Sequence, residues 1–369
     1  MWRTKLLLLL IFVLFLSSIV SAQVKWVKHI NPTSGEDYGY GTCLFGNYLV
    51  VVGEAGGSPF LALLDRESGE VVKTWSEGNG WFYNCVAIGD KLYIVGRAWE
   101  LDVVYRIYVF DINLNVVNRI QVDDAGFSDI IYQDGYFYIG GYKWKNFSGQ
   151  FRPVWYIERR RADLGLVAYR EIYDAEWRDS GVVNVGVNPV TGDVWAVGYY
   201  KLGGVWRPLV AVSDRDLNLK RLVQLPNYTG FFGGMCFDSE GNAYVDGNET
   251  VTKFDKNGNY VKRYDGGGRI VCVKDRLYLF GRVNRTAVVP TWRLAYSVID
   301  AKTMERIRQV ELPASSAGDL TNFYAPGRPS FDGRYAYAVG VLDLSTGGRS
   351  LIGDTEIVVF AVSVVSSVW

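Results

Sequence analysis

The chain has 369 residues, with 39 basic and 39 acidic side chains, one histidine and 15% aromatic residues. Zero net charge without a basic tract excludes the electrostatic footprint of a nucleic-acid binder. A single histidine excludes a multi-histidine metal site, and no metal is expected.

At the start of the chain, Arg3 and Lys5 precede an almost wholly apolar run from Leu6 to Ile19, followed by the small residues Ser21 and Ala22. This is the layout of a secretory signal peptide over residues 1–22, with cleavage between Ala22 and Gln23. The run is short for a membrane span of about 20 residues. No later stretch is long enough to cross a bilayer, so no span is expected after cleavage.

Residues 23–369 read as one domain. Val24-Lys25-Trp26-Val27-Lys28-His29-Ile30 is a strand standing before a repeating pattern of polar turn, apolar and aromatic residues, then glycine. The pattern occurs at Tyr48 to Gly53, Leu92 to Gly96, Tyr136 to Gly140, Val194 to Gly198, Ala243 to Gly247, Leu277 to Gly281 and Tyr335 to Gly340. Helical periodicity is nearly absent, and Tyr, Trp and Val favour strands. A repeat of this length cannot bury both faces of its small sheet alone. The expected fold class is therefore all-β, a seven-bladed β-propeller of four-stranded antiparallel blades, with the glycine read as the stop of strand b.

Blades are expected to begin near Tyr38, Gly80, Asp124, Glu176, Gly230, Gly267 and Gly318. The last supplies only three strands. Val24 to Ile30 is therefore expected to pair with Glu356 to Val362 and close the ring, which removes the open sheet edges. Strand c commonly ends in an apolar residue and Asp, as at Leu64-Asp65, Phe110-Asp111, Phe254-Asp255 and Ile299-Asp300. Asp and Asn-Gly suit the c–d turns that follow. The glycine of Asp255-Lys256-Asn257-Gly258-Asn259 is misplaced for a calcium loop, and no Glu closes it.

The stretch Leu64 to Val72, apolar-Asp-x-x-Ser-Gly-Glu-x-Val, resembles the repeats of quinoprotein-like and YVTN-type β-propellers. Phe254-Asp255-Lys256-Asn257-Gly258-Asn259 is similar to NHL-type repeats. No WD dipeptide closes a blade. At the level of blade layout the resemblance covers nearly all of residues 23–369, and it implies a fold rather than an activity. The vicinal cysteine pair that quinone-cofactor propellers use is absent, and no cofactor is expected.

Cys43, Cys85, Cys236 and Cys272 occupy near-equivalent places on the expected innermost strands. An even cysteine count in an exported chain suggests disulfides. Neighbouring inner strands converge near the axis, so the expected pairs are Cys43–Cys85 and Cys236–Cys272, with four buried thiols as the alternative. Glycosylation sequons begin at Asn146, Asn227, Asn248 and Asn284. All four fall on the face that carries the b–c and d–a connections, in the third to sixth blades.

That face also gathers the candidate site. The starts of strand a carry Tyr38, Tyr40, Trp81, Tyr83, Phe127, Trp177 and Phe231. Long b–c insertions end in Phe151-Arg152, Trp206-Arg207 and Trp292-Arg293. Trp, Tyr and Arg dominate binding surfaces, and rings beside polar groups suit sugars. Packing between blades is the competing use for each ring. His29 falls at the rim, Asp37, Asp129, Asp179 and Asp319 fall near strand-a starts, and no catalytic residue is singled out. The expected function is a secreted or cell-surface recognition scaffold whose partner is an extracellular glycan, small molecule or protein. A carboxylate-based glycoside hydrolase or lyase is the alternative, and a structural component of an extracellular coat or filament the third possibility.

Overall fold

The computed structural model describes residues 24–99, 103–225, 227–247, 250–284, 292–312, 323–324, 328–343 and 355–364. The expected leader (1–22), Asn248 and Asp319 lie outside the described residues. Among these residues every regular element is a strand. Six four-stranded antiparallel sheets follow one another in chain order, each a simple meander. The first comprises strands Asp37–Phe45, Tyr48–Ala55, Ser58–Asp65 and Val71–Ser76, termed a to d from the axis outward.

The seventh sheet takes its outermost strand from the other end of the chain. Val24–Ile30 pairs antiparallel with Thr355–Ser363, Val24 facing Val362 and Ile30 facing Ile357. Strand b of this sheet is Tyr335–Asp343, and its inner strand is split into Phe323–Tyr324 and Ser330–Phe331. The chain is a seven-bladed β-propeller closed by its N-terminal strand.

Seven apolar clusters fill the wedges between neighbouring blades, one for each interface. The rim is stitched by basic residues of strand d. Lys25 Nζ donates to Arg66 O at 3.2 Å, Arg221 Nη1 to Asn257 O at 3.2 Å and Lys262 Nζ to Thr303 O at 2.7 Å. Lys73 makes the same bond to Asn113 O. In each case the carbonyl lies in the c–d turn of the next blade. His29 sits on this rim beside Glu356. Disulfides Cys43–Cys85 and Cys236–Cys272 join the inner strands of blades 1 and 2 and of blades 5 and 6.

Two expectations need correction. The repeated glycine does not stop strand b, which runs on past Gly53, Gly96 and Gly198. It lies instead where strand a bulges and swings a carbonyl inward. A Cβ on Gly53 would meet Tyr38 O at 1.8 Å, and one on Gly198 would meet Gly181 O at 2.1 Å. In blade 3 this place belongs to Gly141, whose Cβ would meet Gly126 O at 1.8 Å, rather than to Gly140. Close backbone approach, not strand termination, selects glycine.

The b–c insertions of blades 3 and 4 are likewise not loops, while residues 285–291 of the blade-6 insertion lie outside the described residues. Tyr136–Phe147 and Gln150–Arg161 form one continuous hairpin, as do Val194–Leu202 and Val205–Ser213. Their tips are the two-residue turns Ser148-Gly149 (φ 53° and 88°) and Gly203-Gly204 (φ 58° and 81°). Two consecutive left-handed residues match the twist of the flanking strands, so the hairpins extend past the sheet without a break.

Candidate functional site

The bulges decide what faces the axis. In blades 1 to 4 the register of strand a slips between Gly39 and Gly41, Phe82 and Asn84, Phe127 and Asp129, and Val182 and Asn184. The extra residues are Tyr40, Tyr83, Ser128 and Val183. All four line one chamber of about 250 Å³ in the upper channel, on the b–c/d–a side. A bulge re-aims one side chain out of the sheet's alternation, and here it does so four times around one axis.

This register also sorts the expected aromatic residues. Tyr38 and Tyr40 stack at 6.1 Å with their planes 7° apart, Tyr40 meets Tyr83 at 6.1 Å, and Trp81 meets Tyr83 edge-on at 6.2 Å. The Arg97 guanidinium lies 3.1 Å over the Trp81 ring. These rings form a half-buried arc running into the chamber. Phe127 precedes its bulge by one residue and is buried at 1% exposure, stacked on Tyr156 in the wedge. Trp177, 6% exposed, packs on Tyr200. Neither can touch a ligand at the mouth, which corrects their assignment to it. Ser128 is the true blade-3 counterpart of Tyr40 and Tyr83.

Trp206 and Arg207 are half-buried on the blade-4 hairpin, with Trp206 edge-on to Tyr199 at 4.8 Å, while Phe231 is exposed. Trp292 and Arg293 begin strand c of blade 6, Trp292–Asp300, and Asn284 ends strand b there. The side chains of these three lie outside the described ones.

The chamber floor is an ion pair between distant blades. Arg328 of blade 7 reaches Asp129 of blade 3 at 3.0 Å (Nη1–Oδ2), and its Nη2 donates to Val185 O of blade 4 at 3.0 Å. Asp129 also accepts from Val185 N at 2.8 Å and from the Asn84 amide. Arg328 and Pro329 line both the upper chamber and a wider cavity of about 470 Å³ below it. The lower cavity is bounded by the second halves of the inner strands, including Leu44, Val86, Ile131 and Phe237, and so opens toward the a–b turns. Arg328 therefore partitions the channel.

On the far wall, Arg269 Nη1 donates to Asp246 Oδ1 at 2.8 Å, and Gly234 N–H donates to the same oxygen at 2.9 Å. Burial nevertheless pushes the Asp246 carboxyl above its usual range, with Arg269 opposing it. Asp246 stands where blades 1, 2, 4, 6 and 7 carry Val52, Val95, Val197, Phe280 and Val339 and blade 3 carries Gly140, a charged break in an uncharged column that the sequence displays. Among the described residues, Asn184 Oδ1 and Arg269 Nε are buried without a hydrogen-bond partner, and both residues line the chamber. Buried polar atoms are normally paired, and each orphan calls for an explanation.

Burial raises the Tyr83 phenol to about 12 and the Tyr40 phenol further, with the Glu54 carboxylate at 3.4 Å adding to the latter. Both stay protonated donors at neutral pH. Of the acids expected to pair at the mouth, Asp37 is fully buried and bonded to Thr33 Oγ1 at 2.8 Å, and Asp129 is held by Arg328. Asp179 is only half-buried, and burial raises its carboxyl.

No family model and no curated protein matches the chain. Its fold is widespread, since 595 chains of solved structures match it. One belongs to a structure described as "Crystal Structure of Mitotic Checkpoint Complex", with a TM-score of 0.56, 11% identity, and coverage of 86% of this chain and 89% of that one. At that identity the likeness concerns the fold alone.

Proposed function

We propose that the protein is an exported recognition module that binds a small neutral polar ligand, best matched by a sugar ring, in the upper channel. The observation that carries this reading is the chamber's two-sided chemistry. Tyr40 and Tyr83 offer flat apolar faces and protonated hydroxyls, while Asn184 Oδ1 and Arg269 Nε offer a buried acceptor and donor without protein partners. A sugar presents the complement, with C–H groups on one face and hydroxyls at its edge. The volume, about 250 Å³, is just below the range of roughly 300–1,000 Å³ typical of drug-sized ligands, and suits a single ring. Two disulfides and the apolar N-terminal stretch support export.

A glycan array followed by titration calorimetry tests this. Binding without turnover is expected, and Asn184→Ala or Tyr40→Ala should weaken it about tenfold or more, the equivalent of ~1.4 kcal/mol. A mouth that binds no sugar, or binds equally well after both changes, would overturn the proposal. Release of a cleaved product would move the assignment to the hydrolase alternative.

A further inference from the structure

The hairpin of blade 3 carries its most exposed apolar surface at the tip, where a soluble protein has least reason to put it. Phe151 is 66% exposed and Trp144 43% exposed. Strands Tyr136–Phe147 and Gln150–Arg161 pair without a register shift, with Asn146 directly opposite Phe151 and Trp144 opposite Pro153. Directly opposed residues share a face, with Cβ atoms about 5 Å apart, and so do residues two apart on one strand. Trp144, Asn146 and Phe151 therefore form one triangular patch with the asparagine between two rings. Asn146 begins the sequon Asn146-Phe147-Ser148, and its exposed side chain has Oδ1 tied to Gly149 N–H at 2.7 Å. That bond engages Oδ1 rather than Nδ2, and Nδ2 is the atom an N-linked glycan occupies.

We infer that Asn146 is glycosylated and that Trp144 and Phe151 are the seat of the first sugar. This rests on the export reading above, not on the nature of the mouth ligand. In the modification, Asn146 Nδ2 bonds to the anomeric carbon of a lipid-linked sugar phosphate donor. The phosphate leaves with the electron pair of the broken C–O bond, and one amide proton is lost to the transferase. The attached ring then lies against Trp144 and Phe151 and covers apolar surface otherwise left in water. Isolated exposed apolar residues need no explanation, but a contiguous pair flanking a modifiable atom does.

The test uses the full chain secreted from a glycosylating host, with glycopeptide mass spectrometry and thermal unfolding before and after enzymatic glycan removal. Asn146 should be occupied, and removal should lower Tm by about 2 °C. The double variant Trp144→Ala/Phe151→Ala should keep the glycan yet show no change on its removal. Ser148→Ala, which blocks attachment but keeps both rings, should melt like the stripped wild type. A bare Asn146 beside an occupied Asn227 overturns this inference alone, as does an equal Tm loss with and without the rings. A secreted protein with no glycan at any sequon overturns the inference too. Sugar binding at the mouth is read separately and is unchanged in all three proteins, so failure there is distinguishable.

Discussion

Arg328 and Asp129, 199 residues apart in the chain, meet across the channel axis at 3.0 Å and tie blade 7 to blade 3. Asp129 is 1% exposed, so its partners take the place of water around the carboxylate. Arg328→Ala should cost about 3 kcal/mol, mainly because it strands a buried carboxylate. The double variant Arg328→Ala/Asp129→Asn should recover part of that loss, since the charge left unpaired is gone. Urea unfolding of the wild type, Arg328→Ala, Asp129→Asn and the double variant gives the coupling. Equal losses in the single and double variants would show that Arg328 acts by packing alone.

Little of this pair was legible beforehand. The blades, the closing strand and the cysteine pairs show in the sequence because each depends on local alternation or on equivalent positions in a repeat. Val24 to Ile30 could be placed because the last blade lacked a strand. Arg328–Asp129 has no local signature, since it joins side chains whose meeting depends on closure of the whole ring. The aromatic site was half legible for a related reason. Tyr40 and Phe127 look alike as residues at the start of strand a, but a one-residue bulge sends one to the channel and the other into the wedge. Ser148-Gly149 and Gly203-Gly204 are turn signals carried by the sequence itself, and they mark these insertions as hairpins. Asp246, an acid in an otherwise uncharged column, is visible in the sequence as a local exception.

The two disulfides close loops between residues 42 and 36 apart in sequence. Each should contribute roughly 3–4 kcal/mol by restricting the unfolded chain. Cys43→Ala/Cys85→Ala and Cys236→Ala/Cys272→Ala should therefore lower stability by similar amounts and add when combined, because the bridges lie in separate pairs of blades. Denaturant curves of the oxidised protein and the three variants measure this. If the oxidised wild type and the fully substituted chain unfolded at the same midpoint, the bridges would have no stabilising role.

The c–d turns make stability sensitive to acid. The N–H of Ser68 holds the Asp65 carboxyl below its usual range, the Asn115 side chain does so for Asp111, and the N–H of Thr303 for Asp300. A depressed folded pKa contributes stability that is present above the unfolded pKa and lost as pH falls through the folded one. The loss should therefore begin near pH 4 and deepen below it. Asp246 and Glu54, raised by burial, act oppositely and favour the fold as they take up protons. Thermal unfolding from pH 7 to pH 2 should show a shallow change above pH 4 and a steep fall below. Asp65→Asn/Asp111→Asn should flatten that fall, and an unaltered profile would remove the turns from the account.

Asp246 and Arg269 allow ligand recognition to be separated from folding. Asp246 is buried and Arg269 half-buried, and burial raises the carboxyl despite its 2.8 Å contact with the guanidinium. The neighbouring blades place Val197 and Phe280 at the same position. Replacing only Asp246 by Val would leave the Arg269 charge without its partner and should cost about 3 kcal/mol. Asp246→Val/Arg269→Leu removes both charges at once and should be neutral or more stable by roughly 1–4 kcal/mol, as apolar replacements of buried ion pairs often are. The same double variant deletes the orphan donor Nε from the chamber wall and should weaken ligand binding at the mouth. Unfolding and calorimetry on one protein then give opposite signs if the pair is kept for recognition. A double variant that is less stable than the wild type but binds equally well would make Asp246–Arg269 a fold element, leaving recognition to Tyr40, Tyr83 and Asn184.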